Sequence, residues 1–233
     1  MTLSSFIYAL IAGLLPSLIW LWFWLREDSE HGEPKWLLAA SFFGGIVAVL
    51  FAILIEKFIA DNVIDNNLKY ILWAATEELL KFMAVTVIVL KSKYNDEPLK
   101  PMIYCIVVAL GFAALENALF LLEPVSIGAI AQSIVTGNMR FIGATLVHIV
   151  SSATVGFAIG ITYYRGAGAK LISLVLALIA AITIHSIFNI SVVNSDPNDI
   201  LKIFAWIWGA VVILIILFEE VKATKPRLIR DRA

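Results

Sequence analysis

The chain contains little charge. Only 15% of its 233 residues are Asp, Glu, Lys or Arg, 61% are hydrophobic, and the mean hydropathy is +0.93. Ordinary soluble domains carry about 25% charged residues, so this composition excludes a soluble domain and indicates a membrane protein. The scattered basic residues and the net charge of −1 also give no electrostatic footprint for nucleic acid.

Cysteine and several catalytic motifs are equally scarce. The one cysteine, Cys105, cannot form an intramolecular disulfide or a thiolate metal site by itself. The sequence has no H-E-x-x-H zinc helix, no G-x-S-x-G nucleophile elbow and no Gly-Asp pair for an aspartyl intramembrane dyad. Any chemistry must therefore come from another set of residues.

Long apolar runs are abundant. Seven of them are about twenty residues long, the length that an α-helix needs to cross a hydrocarbon core of roughly 30 Å. They cover residues 3–25, 36–55, 70–90, 101–122, 140–164, 171–193 and 200–217. The sequence predicts an all-α, polytopic transmembrane helix bundle, one integral membrane domain over residues 1–233, with seven spans, or eight if residues 125–137 re-enter the membrane.

Basic residues predict the orientation. Lys and Arg concentrate after the first, third, fifth and seventh runs, and basic loops stay in the cytoplasm. We therefore expect the N-terminus outside and the C-terminus inside, with the basic tail at residues 222–232 anchored on the inner leaflet. His31 lies in an acidic inner loop and is expected to be solvated and uninvolved.

The third run carries Glu77, Glu78 and Lys81, each of which costs on the order of 2.5–3.5 kcal/mol at mid-helix. Lys81 lies four residues after Glu77 and three after Glu78, so it can reach either carboxylate and hold it ionised. The other carboxylate is then free to exchange a proton. A purely structural ion pair is the alternative, but a second carboxylate adds repulsion that function explains more readily.

Polar residues recur in the next two runs. Glu116 and Asn117 lie in the fourth run after small residues that permit close helix approach. The fifth run begins at Arg140 and carries His148 and Ser152. Each of these alone is also compatible with an interhelical hydrogen bond.

The sixth run adds His185 and Asn189, four residues apart, so that the amide can contact the ligand that the imidazole contacts. Counted from the outer end of each run, Glu77, Glu116, His148 and His185 all lie roughly 9–12 Å deep. Four helices should therefore present their ionisable groups in one layer.

Such a layer has the parts for hydrolysis, namely a general base for water, an acid for the leaving amine and donors for an oxyanion. Zinc, bound by candidates among His148, His185, Glu77 and Glu116, is one alternative, and metal-free chemistry is the other. An ion- or proton-coupled transporter would use similar residues as a relay. A non-catalytic membrane scaffold is a third class.

In this order, Glu77-Glu78-x-x-Lys81, Glu116-Asn117, His148 and His185-x-x-x-Asn189 resemble the PrsW family of glutamic-type intramembrane proteases. The match covers a catalytic core at about residues 70–193. CAAX prenyl endopeptidases and bacterial CPBP proteins are more distant, because their first motif has a longer spacing to an arginine. A CAAX-type activity would also need a site open to the cytoplasm, which the charge distribution disfavours.

The resemblance implies roles for these residues. Glu77 would activate water with help from Glu78, while His148, His185 and Asn189 would position the water or stabilise the oxyanion. It also implies cleavage of a single-pass membrane protein, such as a membrane-bound anti-sigma factor, near the outer face of a bacterial or archaeal cell (inner) membrane. The supporting residues are expected to be Lys81, Glu116, Asn117, Arg140 and Ser152.

Overall fold

The computed structural model describes residues 2–27, 33–196 and 199–225, which consist of helices joined by short turns and contain no strand. A π-helical turn at Thr86–Leu90 extends the helix that ends at Val85, and another at Arg140–Ala144 joins the helices Ile130–Met139 and Thr145–Ile161. The predicted all-α, polytopic bundle is confirmed. The helices are α1 (Leu3–Glu27), α2 (Lys35–Asn62), α3 (Asn66–Val85), α4 (Lys100–Ser126), α5 (Ile130–Met139), α6 (Thr145–Ile161), α7 (Ala167–Asn194) and α8 (Ile200–Lys222).

Six continuous helices in the described ranges are long and apolar enough to cross a membrane, with α5 and α6 counted as one. α3 and its π-helical turn correspond to the remaining predicted span, and they carry Glu77, Glu78 and Lys81. Large apolar side chains remain exposed on α1, α2, α7 and α8. Such surfaces suit contact with lipid, since lipid tails are as apolar as these side chains.

Several helices extend beyond the predicted spans, and two of these extensions lie near the polar residues. α2 continues to Asn62, beyond the predicted end at residue 55, and the helix that contains Arg140 begins earlier, at Ile130. Hydropathy marks only the apolar part of a helix, whereas solvated helical residues extend beyond it. Residues 125–137 hold the end of α4, a turn and most of α5, so they form no span of their own. The predictions for His31 and for most of the basic tail concern residues outside the described ranges.

α4 is the central helix, and all its residues from 101 to 114 are buried. It packs against α1, α2 and α6. A Cβ at Gly111 would overlap the backbone of Phe42 on α2, and one at Gly156 of α6 would lie 2.5 Å from the Cα of Met102. The close approach predicted for the small residues of the fourth run is confirmed at Gly111. The contact at Gly156 brings α6 against the centre of the bundle, where α3 and α7 also meet.

Candidate active site

Glu78 is fully buried and bonded to residues of three helices. Its Oε1 accepts hydrogen bonds from Lys81 Nζ at 2.6 Å, from His185 Nδ1 at 2.8 Å and from Ser151 Oγ at 2.9 Å. Its Oε2 accepts one from Ser152 Oγ at 3.2 Å. A buried carboxylate needs such partners, because an unpaired buried charge is costly. Glu78 therefore fixes α3, α6 and α7 relative to one another.

Glu77 is also buried, at 5% exposure, but it is bonded differently. Its Oε2 atom has no hydrogen-bond partner among the described residues. Three nitrogens surround that oxygen beyond hydrogen-bond distance: His148 Nδ1 at 3.7 Å, His185 Nε2 at 3.8 Å and Lys81 Nζ at 3.9 Å. The arrangement leaves a carboxylate oxygen available to a water molecule or a metal ion that also contacts the two imidazoles.

The partners of each imidazole indicate its tautomer. The ammonium of Lys81 donates to His148 Nδ1 at 3.0 Å, and His148 Nε2 lies 2.7 Å from Glu116 Oε2. His185 donates through Nδ1 to Glu78, which leaves a lone pair on its Nε2. Carboxylates thus orient both rings, whose centroids are 4.9 Å apart at 88°.

Arg140 binds the two residues of this network that lie on α4. Its Nη2 donates to Glu116 Oε2 at 2.6 Å and its Nε donates to Asn117 Oδ1 at 2.5 Å. Asn117 in turn donates to Thr145 Oγ1 at 3.0 Å. The structure places Arg140 in the π-helical turn between α5 and α6, rather than at the start of a helix. π-Helical turns inside helices are frequent at functional sites.

A cavity of about 560 Å³ opens onto Glu77, Glu116, Arg140 and both histidines. Asn189, one turn after His185, lines it as predicted, and most other lining residues are apolar. The cavity lies where the C-terminal ends of α2, α4, α5 and α7 meet the N-terminal ends of α3, α6 and α8. Its volume falls within the range that ligand pockets usually have, about 300–1,000 Å³.

The layer predicted from depth corresponds to one connected cluster. Glu77, Glu116, His148 and His185 all line the same cavity. Four more residues are buried in the same hydrogen-bond network but do not line the cavity: Glu78, Lys81, Asn117 and Ser152.

Sequence reasoning missed three side chains of the cluster. Ser151 and Thr145 have no charge to reveal them, although both are fully buried polar residues. Glu56 lies one residue beyond the second apolar run, yet it lines the cavity, and its carboxyl is within hydrogen-bonding reach of Glu77. A helical pattern that extends through Glu56 to Asn62 was the signal that could have found it.

Glu77, His148 and His185 can each offer one ligand atom to a metal, and these atoms lie within 4.8 Å of one another. The second nitrogen of each ring is bonded to a carboxylate, the arrangement that commonly orients metal-binding histidines. Glu116, the fourth candidate from the sequence, is instead bonded to Arg140 and His148. The donors fit zinc, although Lys81 would compete for His148 Nδ1.

The family model described as "PrsW family intramembrane metalloprotease" matches residues 33–218. The chain belongs to the PrsW family. It is 24% identical to Protease PrsW of Bacillus subtilis (strain 168) over 76% of this chain and 79% of that one. It is also 24% identical to Protease PrsW of Clostridioides difficile (strain 630), over 77% and 76%, and 28% identical to that of Geobacillus kaustophilus (strain HTA426), over 64% of each. No solved structure matches this PrsW-family chain.

Membership of the PrsW family supports a protease and an integral membrane location. It also favours the hydrolytic alternative for the buried cluster over a transport relay or a scaffold, since the three named relatives are all proteases.

Proposed function

We propose that the protein is an intramembrane endopeptidase that cuts single-pass membrane proteins near the extracytoplasmic face, with water activated at Glu77. A membrane-bound anti-sigma factor is the kind of substrate that the family suggests. The observation that carries the proposal is the unpartnered oxygen of Glu77, which faces two oriented imidazoles in the wall of a large cavity.

Hydrolysis needs a base, and Glu77 suits that role. A water between Glu77 Oε2 and the imidazoles would lose a proton to the carboxylate as its oxygen attacks the scissile carbonyl carbon. The C–N bond then breaks, and the proton passes to the leaving amine nitrogen. A general base of this kind typically contributes about 10²–10⁴ in rate.

The remaining side chains divide into substrate contacts and positioning groups. The amide of Asn189 lines the cavity and would donate to the carbonyl oxygen as negative charge develops on it, while His148 and His185 would position the attacking water through Nδ1 and Nε2. Glu78 and Glu116 each hold one of these rings at its other nitrogen. Lys81 neutralises Glu78 through a 2.6 Å contact, so Glu77 is left as the carboxylate that can exchange protons.

Zinc, if held by Glu77, His148 and His185, would supply a Lewis acid for the water and the carbonyl oxygen, and Glu77 would then act as a ligand in place of its role as base. The same three side chains would hold the metal and face the scissile bond. The orienting roles of Glu78 and Glu116 are the same with or without the metal.

The position of the cavity supports cleavage at the outer face. It lies at the end of the bundle that holds the α2–α3 and α7–α8 turns. The distribution of basic residues predicts this end to be extracytoplasmic. The short connections leave recognition to the spans and the outer turns, and the mainly apolar cavity wall suits the end of a transmembrane segment.

The test is a comparison of new protein N-termini in host membranes that contain wild type, Glu77→Gln or Asp61→Asn at matched levels, read by mass spectrometry. Asp61 is exposed at the C-terminal end of α2, next to the α2–α3 turn, and does not line the cavity, so it serves as the control. We expect cuts in or just outside spanning segments with wild type and Asp61→Asn only. Identical profiles for all three in membranes that contain a substrate of a PrsW relative would overturn the proposal and favour transport.

A further inference from the structure

Glu56 is a carboxylate that the proposed reaction does not use. It is half-buried on α2, lines the cavity and reaches the carboxyl of Glu77. The other carboxylates of the cluster have cationic neighbours, because Arg140 binds Glu116 and Lys81 binds Glu78. Among the described residues no lysine or arginine forms an ion pair with Glu56.

Two aromatic rings stand beside this carboxylate. The indole Nε1 of Trp73 donates to the backbone oxygen of Glu56 at 3.1 Å, which holds the start of α3 against α2. Tyr70 packs edge-on against Trp73 at a centroid distance of 5.5 Å, and both residues line the cavity. A carboxylate next to tyrosine and tryptophan rings is a favourable surrounding for a cation.

A second observation points to a ligand at the same place. Glu77 also lines this cavity, is only 5% exposed, and its buried Oε2 has no hydrogen-bond partner among the described residues. Two neighbouring carboxylates repel each other when both are ionised, and Lys81, 3.9 Å from Glu77 Oε2, is bonded to Glu78 at 2.6 Å. A cationic group brought by a ligand would remove that repulsion.

We infer that Glu56, Tyr70 and Trp73 form a specificity subsite that takes a lysine or arginine side chain of the substrate next to the scissile bond. Such side chains lay an apolar stem along apolar walls and carry their charge at the tip. Val49, Ala52 and Ile53 precede Glu56 on α2 and form an apolar wall of that kind. The inference rests on the proposed protease activity and names the substrate class of that site.

The position of the subsite indicates where in a substrate the basic residue would lie. Glu56 is near the end of α2, and Tyr70 is near the start of α3, so the subsite is at the mouth end of the cavity. A lysine or arginine near the outer end of a span extends its charge toward the membrane interface, and because such residues are less frequent on this side than on the cytoplasmic side, a subsite for them would select among single-pass proteins. A substrate with its apolar segment in the cavity would bring such a flanking residue to the level of Glu56.

The test combines the cleavage map with a charge swap. The first step is to map the cuts that wild type or Glu56→Gln makes and that Glu77→Gln does not make. Reporter single-pass proteins are then built on one mapped cut, with Lys, Gln or Glu scanned along the flanking residues. We expect wild type to cut the best lysine reporter roughly ten-fold or more faster than the matched glutamine reporter, and Glu56→Gln to lose this preference. Glu56→Lys should instead favour the glutamate reporter.

Each outcome decides a different point. Cuts that depend on Glu77 but show the same reporter preference in wild type and Glu56→Gln would overturn the subsite and leave the protease proposal standing. An absence of cuts that depend on Glu77 would overturn both proposals. If Glu56→Gln does not accumulate, Tyr70→Leu tests the same subsite, and an unchanged lysine preference in that variant also counts against it.

Discussion

Glu77 Oε2 lies 3.8 Å from His185 Nε2, while the adjacent glutamate, Glu78, holds the other nitrogen of the same ring at 2.8 Å. Two neighbouring carboxylates thus bracket one imidazole from its two sides. One carboxylate is saturated with hydrogen bonds and the other has an open oxygen. The two glutamates should therefore respond differently to the same substitution.

We expect Glu77→Gln and Glu78→Gln both to abolish cleavage, but only Glu78→Gln to destabilise the fold strongly. Removing the charge of Glu78 leaves Lys81 buried without its 2.6 Å partner, and breaking a buried pair costs about 3–5 kcal/mol. Glu77→Gln removes no hydrogen bond from Oε2. Thermal unfolding in detergent checks this, and equal losses of stability in the two variants would contradict it.

Zinc binding should depend on three side chains. We expect the purified wild-type protein to bind one zinc ion, and Glu77→Gln, His148→Ala and His185→Ala each to weaken binding at least ten-fold, because each removes a ligand. Isothermal titration calorimetry measures this without a substrate, and Asp61→Asn is the control. Wild-type binding no tighter than that of the three variants would show that the cluster does not hold zinc.

The orientation can be tested with single cysteines, since the native Cys105 is buried. Ile64 is 95% exposed in the α2–α3 turn, and a Cβ at Gly166 before α7 meets no neighbouring atom. We expect a membrane-impermeant maleimide to label Ile64→Cys in intact cells and Gly166→Cys only after permeabilisation. The reverse pattern would place the cavity mouth in the cytoplasm and revive a CAAX-type substrate.

Glu33 should make stability depend on pH. Burial raises the pKa of Glu33, although the hydroxyl of Tyr104 donates to its carboxylate and Lys100 Nζ lies 4.0 Å away. An acid with a raised pKa contributes most stability below its ordinary pKa, and the contribution is lost as pH rises through the folded-state pKa. Glu33→Gln keeps an acceptor for Tyr104 and cannot ionise, so its melting temperature should exceed that of wild type at pH 8. The gain should vanish near pH 4, and a gain independent of pH would contradict the burial argument.

The lengths of the apolar runs predicted the helices, because a chain that crosses hydrocarbon must pair its backbone polar groups internally, as a helix does. It did not predict where helices end. Glu56 and Arg140 lie at the borders of apolar runs, and each proved to be inside a longer helix. Residues that leave the hydrocarbon are free to be polar and still helical, so hydropathy carries no signal for them.

The members of the cluster were predictable because each costs free energy in a membrane, and their depths coincided. Their pairing was not predictable. Lys81 can reach Glu77 or Glu78 from one helix, and only the positions of Ser151 and His185 on other helices select Glu78 as its partner. Local spacing sets which contacts are available, and tertiary packing chooses among them.

The bonding of Glu78 also bears on how the protein is made. Ser151 and His185 follow Glu78 by 73 and 107 residues, so both are synthesised long after α3 leaves the ribosome. Only Lys81, one turn away, can neutralise Glu78 at that stage. The charge of Glu78 must therefore be compensated within α3 itself as this helix enters the bilayer, and the two glutamates acquire their other neighbours only when α6 and α7 dock against it.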